Sequence, residues 1–317
     1  MNLNDRAAAV VRQLVADPAR YRVQTTTLPG GATVVDCGVR SPGGLAAGVL
    51  LARACLADMG HVELGPLMQE HRGVRPAVVV HTDHPRLACM AAQYAGWEIK
   101  GDDYFAMGSG PMRAAAAREP LFEHLGYRES PDACVGVLEA SALPGDDVAA
   151  TIAEKCGVPP AALTLLVAST RSLAGTVQVV ARSVETAMHK LHELGADLTA
   201  IESGWGCAPL PPPAADDLAA IGRTNDAILY GGSVTLHLRG DDDALAELAA
   251  ELPSNASRDY GRPFAEVLAA HGGDFYQVDP LLFSPAQVTL INLTTGRTFR
   301  GGELNAEVLA RSFGEAS

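Results

Sequence analysis

An α/β fold with mixed sheets is what this sequence predicts, and three observations carry it. Short apolar runs suited to strands alternate along the chain with stretches of helical periodicity. Paired strand signals around Gly turns stand near both ends, and hairpins there need antiparallel neighbours, so the sheets are mixed. A turn, a Gly pair and a helix recur, at Gly43-Gly44 and near Ser109-Gly110, which points to two similar halves. The 317 residues allow one large domain or two smaller ones at roughly 100–200 residues each. The division drawn here is a first α/β domain over 1–130 and a second over 131–317, with the C-terminal segment able to return to the first.

The elements follow in order. Residues 4–17 read as a helix capped by Asn4 or Asp5, with Val10, Val11, Leu14 and Val15 at helical spacing. Residues 21–28 and 32–36 read as a hairpin around Pro29-Gly30-Gly31, and 45–59 as a helix opened by Ser41-Pro42-Gly43-Gly44. PAVVV (76–80) is a buried strand, and Thr82 or Asp83 can cap a helix carrying Leu87 to Tyr94, with Pro85 in its first turn. Ala106 to Gly110 reads as a loop before a helix from Pro111 to Ala117. CVGVLE (134–139) and LTLLVAS (163–169) are strands, with a helix at 145–156 between them and one long helix over 176–194 after them. Residues 209–213 read as a surface loop, 228–238 as two strands around Gly231-Gly232, 244–252 and 263–271 as helices, and 288–300 as a hairpin around Thr295-Gly296.

Composition narrows the function. With 48% hydrophobic and 19% charged residues the chain is not a disordered one. Its 24 basic and 37 acidic residues leave a net charge of −13, which repels phosphate backbones and argues against nucleic-acid binding. None of the six cysteines has C-x-x-C spacing, so they read as free thiols of a reducing compartment. The N-terminus carries charge early, unlike a signal peptide, and no run approaches the ~18–20 apolar residues of a membrane span. The cytoplasm is the expected location.

Chemistry can sit at several places. In the predicted long helix, Val177, Val180, Ala181, Val184, Met188 and Leu191 share one stripe, and Arg182 and Glu185 lie on its flank three residues apart. Spacing alone reads this as a partly exposed ion pair. The sharper reading is a cleft-edge carboxylate acting on water, its ionisation set by the arginine. The run from Asp36 through Ser41, Pro42, Gly43 and Gly44 follows a strand and opens a helix, an arrangement that brings backbone N–H groups close to an anion. Gly108, Ser109, Gly110 and Pro111 repeat that logic, and Arg113 adds a cation one turn on. Either loop can equally be an ordinary turn. Glu139 ends a strand, where α/β ligands gather, or it ties a loop. Thr224, Asn225 and Asp226 make either a polar turn before a strand or a ring-reading site. His81-Thr82-Asp83-His84 lacks a fourth ligand and is better read as helix capping than as a metal site. Neither Ser169 nor Ser203 stands in a G-x-S-x-G elbow, and no G-x-G-x-x-G follows a strand.

Six stretches together carry a resemblance: DCGVRSPGG (36–44), AMGSGPMRA (106–114), ASTRSLAGTVQVVARSVETAMHKL (168–191), GRTNDAILYGG (222–232), SRDYGRPF (257–264) and DPLLFSPA (279–286). In this order and spread, the chain resembles the methenyltetrahydromethanopterin cyclohydrolases. The resemblance implies two similar α/β domains with a pterin pocket between them. It implies reversible hydrolysis of a 5,10-methenyl cation to a 5-formyl compound, with no metal and no redox cofactor. It also implies a homotrimer or other homo-oligomer, whose partner is a small pterin and neither nucleic acid nor membrane. The family's catalytic Arg and Glu fall on Arg182 and Glu185, and its strand-end Glu on Glu139. The glycine loops at 41–44 and 108–111 are then expected to shape the pocket, so that Gly43→Val raises the Michaelis constant more than it disturbs the fold. The Ala- and Arg-rich composition suits a bacterial member serving formaldehyde oxidation. A catalytically silent pterin- or folate-binding protein is the alternative, and a dinucleotide-dependent reductase a more distant one.

Overall fold

A computed structural model describes residues 2–69 and 73–315. The chain forms two compact units, and neither is a continuous run. The first takes the chain up to His61 and then Leu87–Gln178; the second takes Val62–Arg86 and everything from Val179 onward. In chain order the first unit begins with α1 (Leu3–Ala16), α2 (Pro18–Tyr21), β1 (Gln24–Thr27), β2 (Thr33–Gly38) and α3 (Leu45–Cys55). The second unit receives β3 (His61–Gln69) and β4 (Gly73–Thr82). A π-helical segment, Arg86–Gln93, leads back to β5 (Trp97–Lys100), β6 (Phe105–Ser109), α4 (Met112–Ala116), α5 (Leu121–Leu125), β7 (Cys134–Glu139), α6 (Asp146–Cys156), β8 (Leu163–Ala168) and α7 (Leu173–Val180). The second unit continues with α8 (Ser183–Glu193), β9 (Ile201–Pro209), α9 (Asp217–Leu229), β10 (Ser233–Leu238), α10 (Asp242–Glu251), α11 (Phe264–Ala270), β11 (Gln287–Asn292), β12 (Thr298–Gly302) and α12 (Ala306–Phe313).

Each unit holds a six-stranded mixed sheet, ordered β1-β2-β8-β7-β6-β5 in the first and β12-β11-β10-β9-β4-β3 in the second. This is the mixed α/β architecture read from the sequence. The boundary after residue 130 does not coincide with the units. β7 and β8 lie between β6 and β2 in the first sheet, because their apolar runs pair in parallel with each other and with β2. The C-terminal segment belongs to the second unit.

The first sheet is covered on both faces, and period-two alternation sorts its side chains. Val34, Leu138, Leu165 and Val167 point into one core with Val148, Ile152 and Cys156 of α6. Val35, Val137, Leu166 and Ala168 point into the other, with Val10 and Leu14 of α1 and Leu50 and Leu51 of α3. In the second unit α8 packs against β9 and β10, α10 against β11 and β12, and α9 against α11 and α12.

Several expectations are corrected. Asn2, not Asn4 or Asp5, caps α1, accepting from the Asp5 N–H at 3.1 Å. Residues 106–109 are not a loop: they belong to β6, antiparallel to both β5 and β7, and only Gly110 lies beyond it. The helix foreseen over 176–194 is two helices. Arg182 sits between them at φ −88°, ψ 9°, and its N–H bonds to the Val179 carbonyl, three residues back. Residues 228–230 close α9 rather than form a strand, so Thr224, Asn225 and Asp226 lie within a helix. α2, β3, β5, α5, β9, α9 and α12 have no counterpart in the sequence reading.

Candidate active site

In the first unit β2, β8 and β7 run parallel side by side, so their carboxyl ends share one edge of the sheet. Three segments leave from that edge. After β2, the Asp36 carboxylate accepts from four backbone N–H groups, those of Gly38 (3.0 Å), Val39 (2.7 Å), Arg40 (2.9 Å) and Ser41 (2.7 Å). Asp36 is buried and fully engaged in shaping the loop. Gly43 is held at φ +60°, and a Cβ there would stand 2.1 Å from the Cys37 carbonyl oxygen. On these sterics Gly43→Val is expected to disturb the turn itself, rather than to act mainly on binding as the sequence suggests. Gly44, the residue before α3, differs: nothing lies within 4 Å of where its Cβ would be. Pro42, two residues earlier, is exposed. The Ser41 hydroxyl is buried with no hydrogen-bond partner among the described residues.

β8 gives the second segment. Ser169 N–H bonds to the Gly38 carbonyl (3.3 Å), which ties it to the end of β2. The first turn of α7 then folds directly onto residues 169 and 170. Glu139 ends β7, opposite Ala168 in the pairing register. Its Oε1 accepts a hydrogen bond from the Thr170 hydroxyl.

The other glycine loop lies elsewhere. β6 runs antiparallel to β7, with Ser109 opposite Val137 and Met107 opposite Glu139. Gly110 and Pro111 thus leave toward the start of β7, at the far edge from Glu139. There Asn4 of α1 donates to the Pro111 carbonyl (3.0 Å) and accepts from the Val135 N–H (3.0 Å). Gly108, Ser109, Gly110 and Pro111 are all buried, and a Cβ on Gly108 would meet Ile99 and Met112. Arg113 is completely buried. It forks onto Glu119, donates to the Met90 carbonyl (2.9 Å) and stacks between Tyr94 and Phe122. The antiparallel register and the engagement of Arg113 tie this segment into the scaffold of the first unit, away from the carboxyl end of β7.

In the second unit Arg182 and Glu185 open α8. Arg182 Nη1 lies 3.7 Å from Glu185 Oε2, with side-chain exposures of 8% and 5%. The spacing was right but the exposed-pair reading was not: the pair is buried. α8 begins close to the sheet because β9 presents Gly204 and Gly206 to Val184 and Ser183. Glu185 stands in the first turn, where the helix end favours negative charge. The candidates on α9 do local work. The Thr224 hydroxyl and Asn225 amide donate to helix carbonyls, and Asp226 Oδ1 accepts from the Phe264 N–H at 2.8 Å. Burial pushes the Asp226 carboxyl up to about 7.

His81–His84 hold no metal set. The Thr82 hydroxyl accepts from the His84 N–H (3.0 Å), and Asp83 accepts from Ser203 (2.7 Å). Among the described residues no group of three or more His, Cys, Asp or Glu side chains could hold a metal ion. Nor is any described helix long and apolar enough to cross a membrane. The six cysteines are buried and unpaired as disulfides. Two residues escaped the sequence reading. Thr170 lies in the hydroxyl-rich run 169–172 just after a strand, a signal visible in sequence. Lys190, also buried, donates to the Pro253 carbonyl (2.7 Å), and burial lowers it to about 8.

A carboxylate beside a guanidinium at a helix start, and a carboxylate at the end of parallel strands, are each chemically able to take and return a proton of water. The family model described as Cyclohydrolase (MCH) matches residues 2–313. The protein named methenyltetrahydromethanopterin cyclohydrolase of Methylobacillus flagellatus is 47% identical over 317 residues, covering 99% of this chain and 95% of its own. Proteins of the same name from Rhodopirellula baltica and Methanocaldococcus jannaschii are 50% and 41% identical. They cover 90% and 99% of this chain, and 86% and 98% of their own. The chain belongs to the MCH cyclohydrolase family.

Proposed function

We propose that this chain reversibly hydrolyses 5,10-methenyltetrahydromethanopterin to 5-formyltetrahydromethanopterin, with Glu185 handling the proton of the attacking water. The relatives' shared name supports the substrate. The observation that carries the mechanism is the burial of the Arg182–Glu185 pair. A buried ion pair costs about as much in desolvation as it returns in attraction, so stability alone is a weak reason to hold one.

The substrate's N5–C–N10 unit is an amidinium-like cation, already electrophilic. Water adds through oxygen to the bridging carbon while one of its protons passes to Glu185. Glu185 returns that proton to N10 as the C–N10 bond breaks. The remaining hydroxyl proton leaves to solvent, and the carbon stays on N5 as a formyl group. Arg182 keeps Glu185 ionised and oriented between turnovers. Glu139 positions water or answers the positive charge of the substrate. Such proton handling contributes typically about 10²–10⁴-fold, and it calls for no metal or redox cofactor. The acidic chain takes a pterin as its partner, and a homo-oligomer in the cytoplasm is the state proposed.

The test is loss of the substrate's absorbance with wild type and Glu185→Gln side by side. Fast wild-type turnover with a crippled, substrate-binding variant supports the reading. Full turnover in Glu185→Gln moves the proton chemistry elsewhere. Wild type that binds without turnover points to a silent pterin-binding protein.

A further inference from the structure

We propose that Thr170 is a positioning residue for Glu139, fixing its carboxylate in one orientation at the end of β7; this rests on the reading that Glu139 serves the hydrolysis. A glutamate at a strand end has three rotatable side-chain bonds and ordinarily samples several rotamers. Here the Thr170 hydroxyl donates to Oε1. Among the described residues no other group bonds to this carboxylate, which leaves Oε2 for water or substrate.

Thr170 can do this because its own position is fixed from several sides. It is 3% exposed. Its branched Cβ restricts χ1, so the backbone sets the direction of the hydroxyl. That backbone is clamped. The Thr170 carbonyl accepts from the Thr176 hydroxyl (3.0 Å), and the Ser169 carbonyl accepts from the Ser172 hydroxyl (2.7 Å) and N–H (2.9 Å). A Cβ on Gly175 would lie 2.1 Å from the Ser169 oxygen and 3.1 Å from Thr170 Cα, so the helix presses on this segment with no slack. A hydroxyl needed only for folding is satisfied by any nearby carbonyl; this one is spent on a strand-end carboxylate. Reacting groups held about 1 Å out of place can lose on the order of 10²-fold in rate, so the clamp bears directly on turnover.

The experiment compares wild type, Thr170→Val, Thr170→Ser, Glu139→Gln and the Thr170→Val/Glu139→Gln double variant, reading kcat, KM and melting temperature. Thr170→Val keeps the shape and removes the donor. It is expected to lose about 10-fold in kcat, KM holding within about 2-fold, while Thr170→Ser restores most of the rate. In the Glu139→Gln background Thr170→Val is expected to cost nothing more, because coupled residues are not additive. Additive losses, wild-type kcat in Thr170→Val, or a Thr170→Ser variant as slow as Thr170→Val each overturn the proposal. Should Thr170→Val melt early, Thr170→Ser and its double with Glu139→Gln decide alone. Wild-type rate in Glu139→Gln removes Glu139 from the chemistry, and the proposal goes with it. Absent wild-type turnover is recognised before any variant is made; it sinks the functional reading and takes this inference down too.

Discussion

Both units bury an arginine against a glutamate, and the two pairs are built differently. In the first unit Arg113 grips Glu119 as a fork, with Nε–Oε1 at 2.9 Å, and spends its remaining reach on the Met90 and Ala92 carbonyls and two aromatic faces. In the second, Arg182 and Glu185 lie 3.7 Å apart, beyond hydrogen-bond reach of each other, at a break between two helices. The fork is a fastener. The second pair is not such a fork, and in the mechanism proposed above its carboxylate takes and returns a proton.

The sharpest way to break this contrast is to neutralise each glutamate. Glu185→Gln is expected to lose about 10²–10⁴-fold in kcat while melting within a few degrees of wild type. Glu119→Gln is expected to do the opposite. It strands a buried guanidinium, lowers stability by about 3 kcal/mol in chemical denaturation, and leaves KM and kcat of the folded enzyme unchanged. If the two variants behave alike, the geometric distinction means nothing.

A second contrast is inside one loop. Gly43→Val is expected to cost more than about 2 kcal/mol, since a branched residue must adopt positive φ and displace the Cys37 carbonyl. A variant that folds normally but binds substrate poorly would restore the binding role first read from the sequence.

What the sequence made legible follows from what each feature depends on. β2, β7 and β8 were visible because strands covered on both faces are continuous apolar runs. The Arg182–Glu185 adjacency was visible because helical spacing survives within the first turn of α8. The break before it was not, because residues 179–182 contain neither Gly nor Pro to announce one. The two glycine loops looked equivalent for a related reason. Local sequence shows a turn and a helix start. It does not show that β6 runs antiparallel, and that register alone sends Gly108–Arg113 to the opposite edge from Gly43-Gly44. The burial of the ion pair was equally hidden, because helical spacing does not show what packs around the start of α8; β9, which meets Ser183 and Val184, lies twenty residues away in sequence.

Asp226 extends the comparison to a carboxylate buried without a guanidinium fork. Its folded value is about 7, raised by burial above the ordinary 3.8. Below about pH 4 both folded and unfolded chains carry the proton, and its contribution is fully present. Between about 4 and 7 the unfolded chain ionises first, so stability falls as pH rises, and it levels off above about 7. Asp226→Asn keeps an oxygen for the Phe264 N–H and removes the titration. It is expected to flatten this part of the stability curve and to be the more stable form at pH 8, by a few kcal/mol at most. Denaturation curves from pH 4 to 8 for both proteins check the slope. A wild-type curve that rises over this range would show that the carboxyl stays ionised in the fold.

The smallest expected change in stability is also the most informative about ligand contact. Gly44 has extended backbone, φ 170°, and open space where a Cβ would be, so neither conformation nor packing within the described chain demands glycine. Gly44→Ala is therefore expected to leave stability within about 0.5 kcal/mol. The residue precedes α3, whose first N–H groups have no partner within the helix. If substrate approaches the backbone there, one added methyl group raises KM several-fold while the melting temperature stays put, the reverse of Gly43→Val one position earlier. If KM does not move, the open space at Gly44 is only surface, and the contrast between the two glycines reduces to the sterics of a turn.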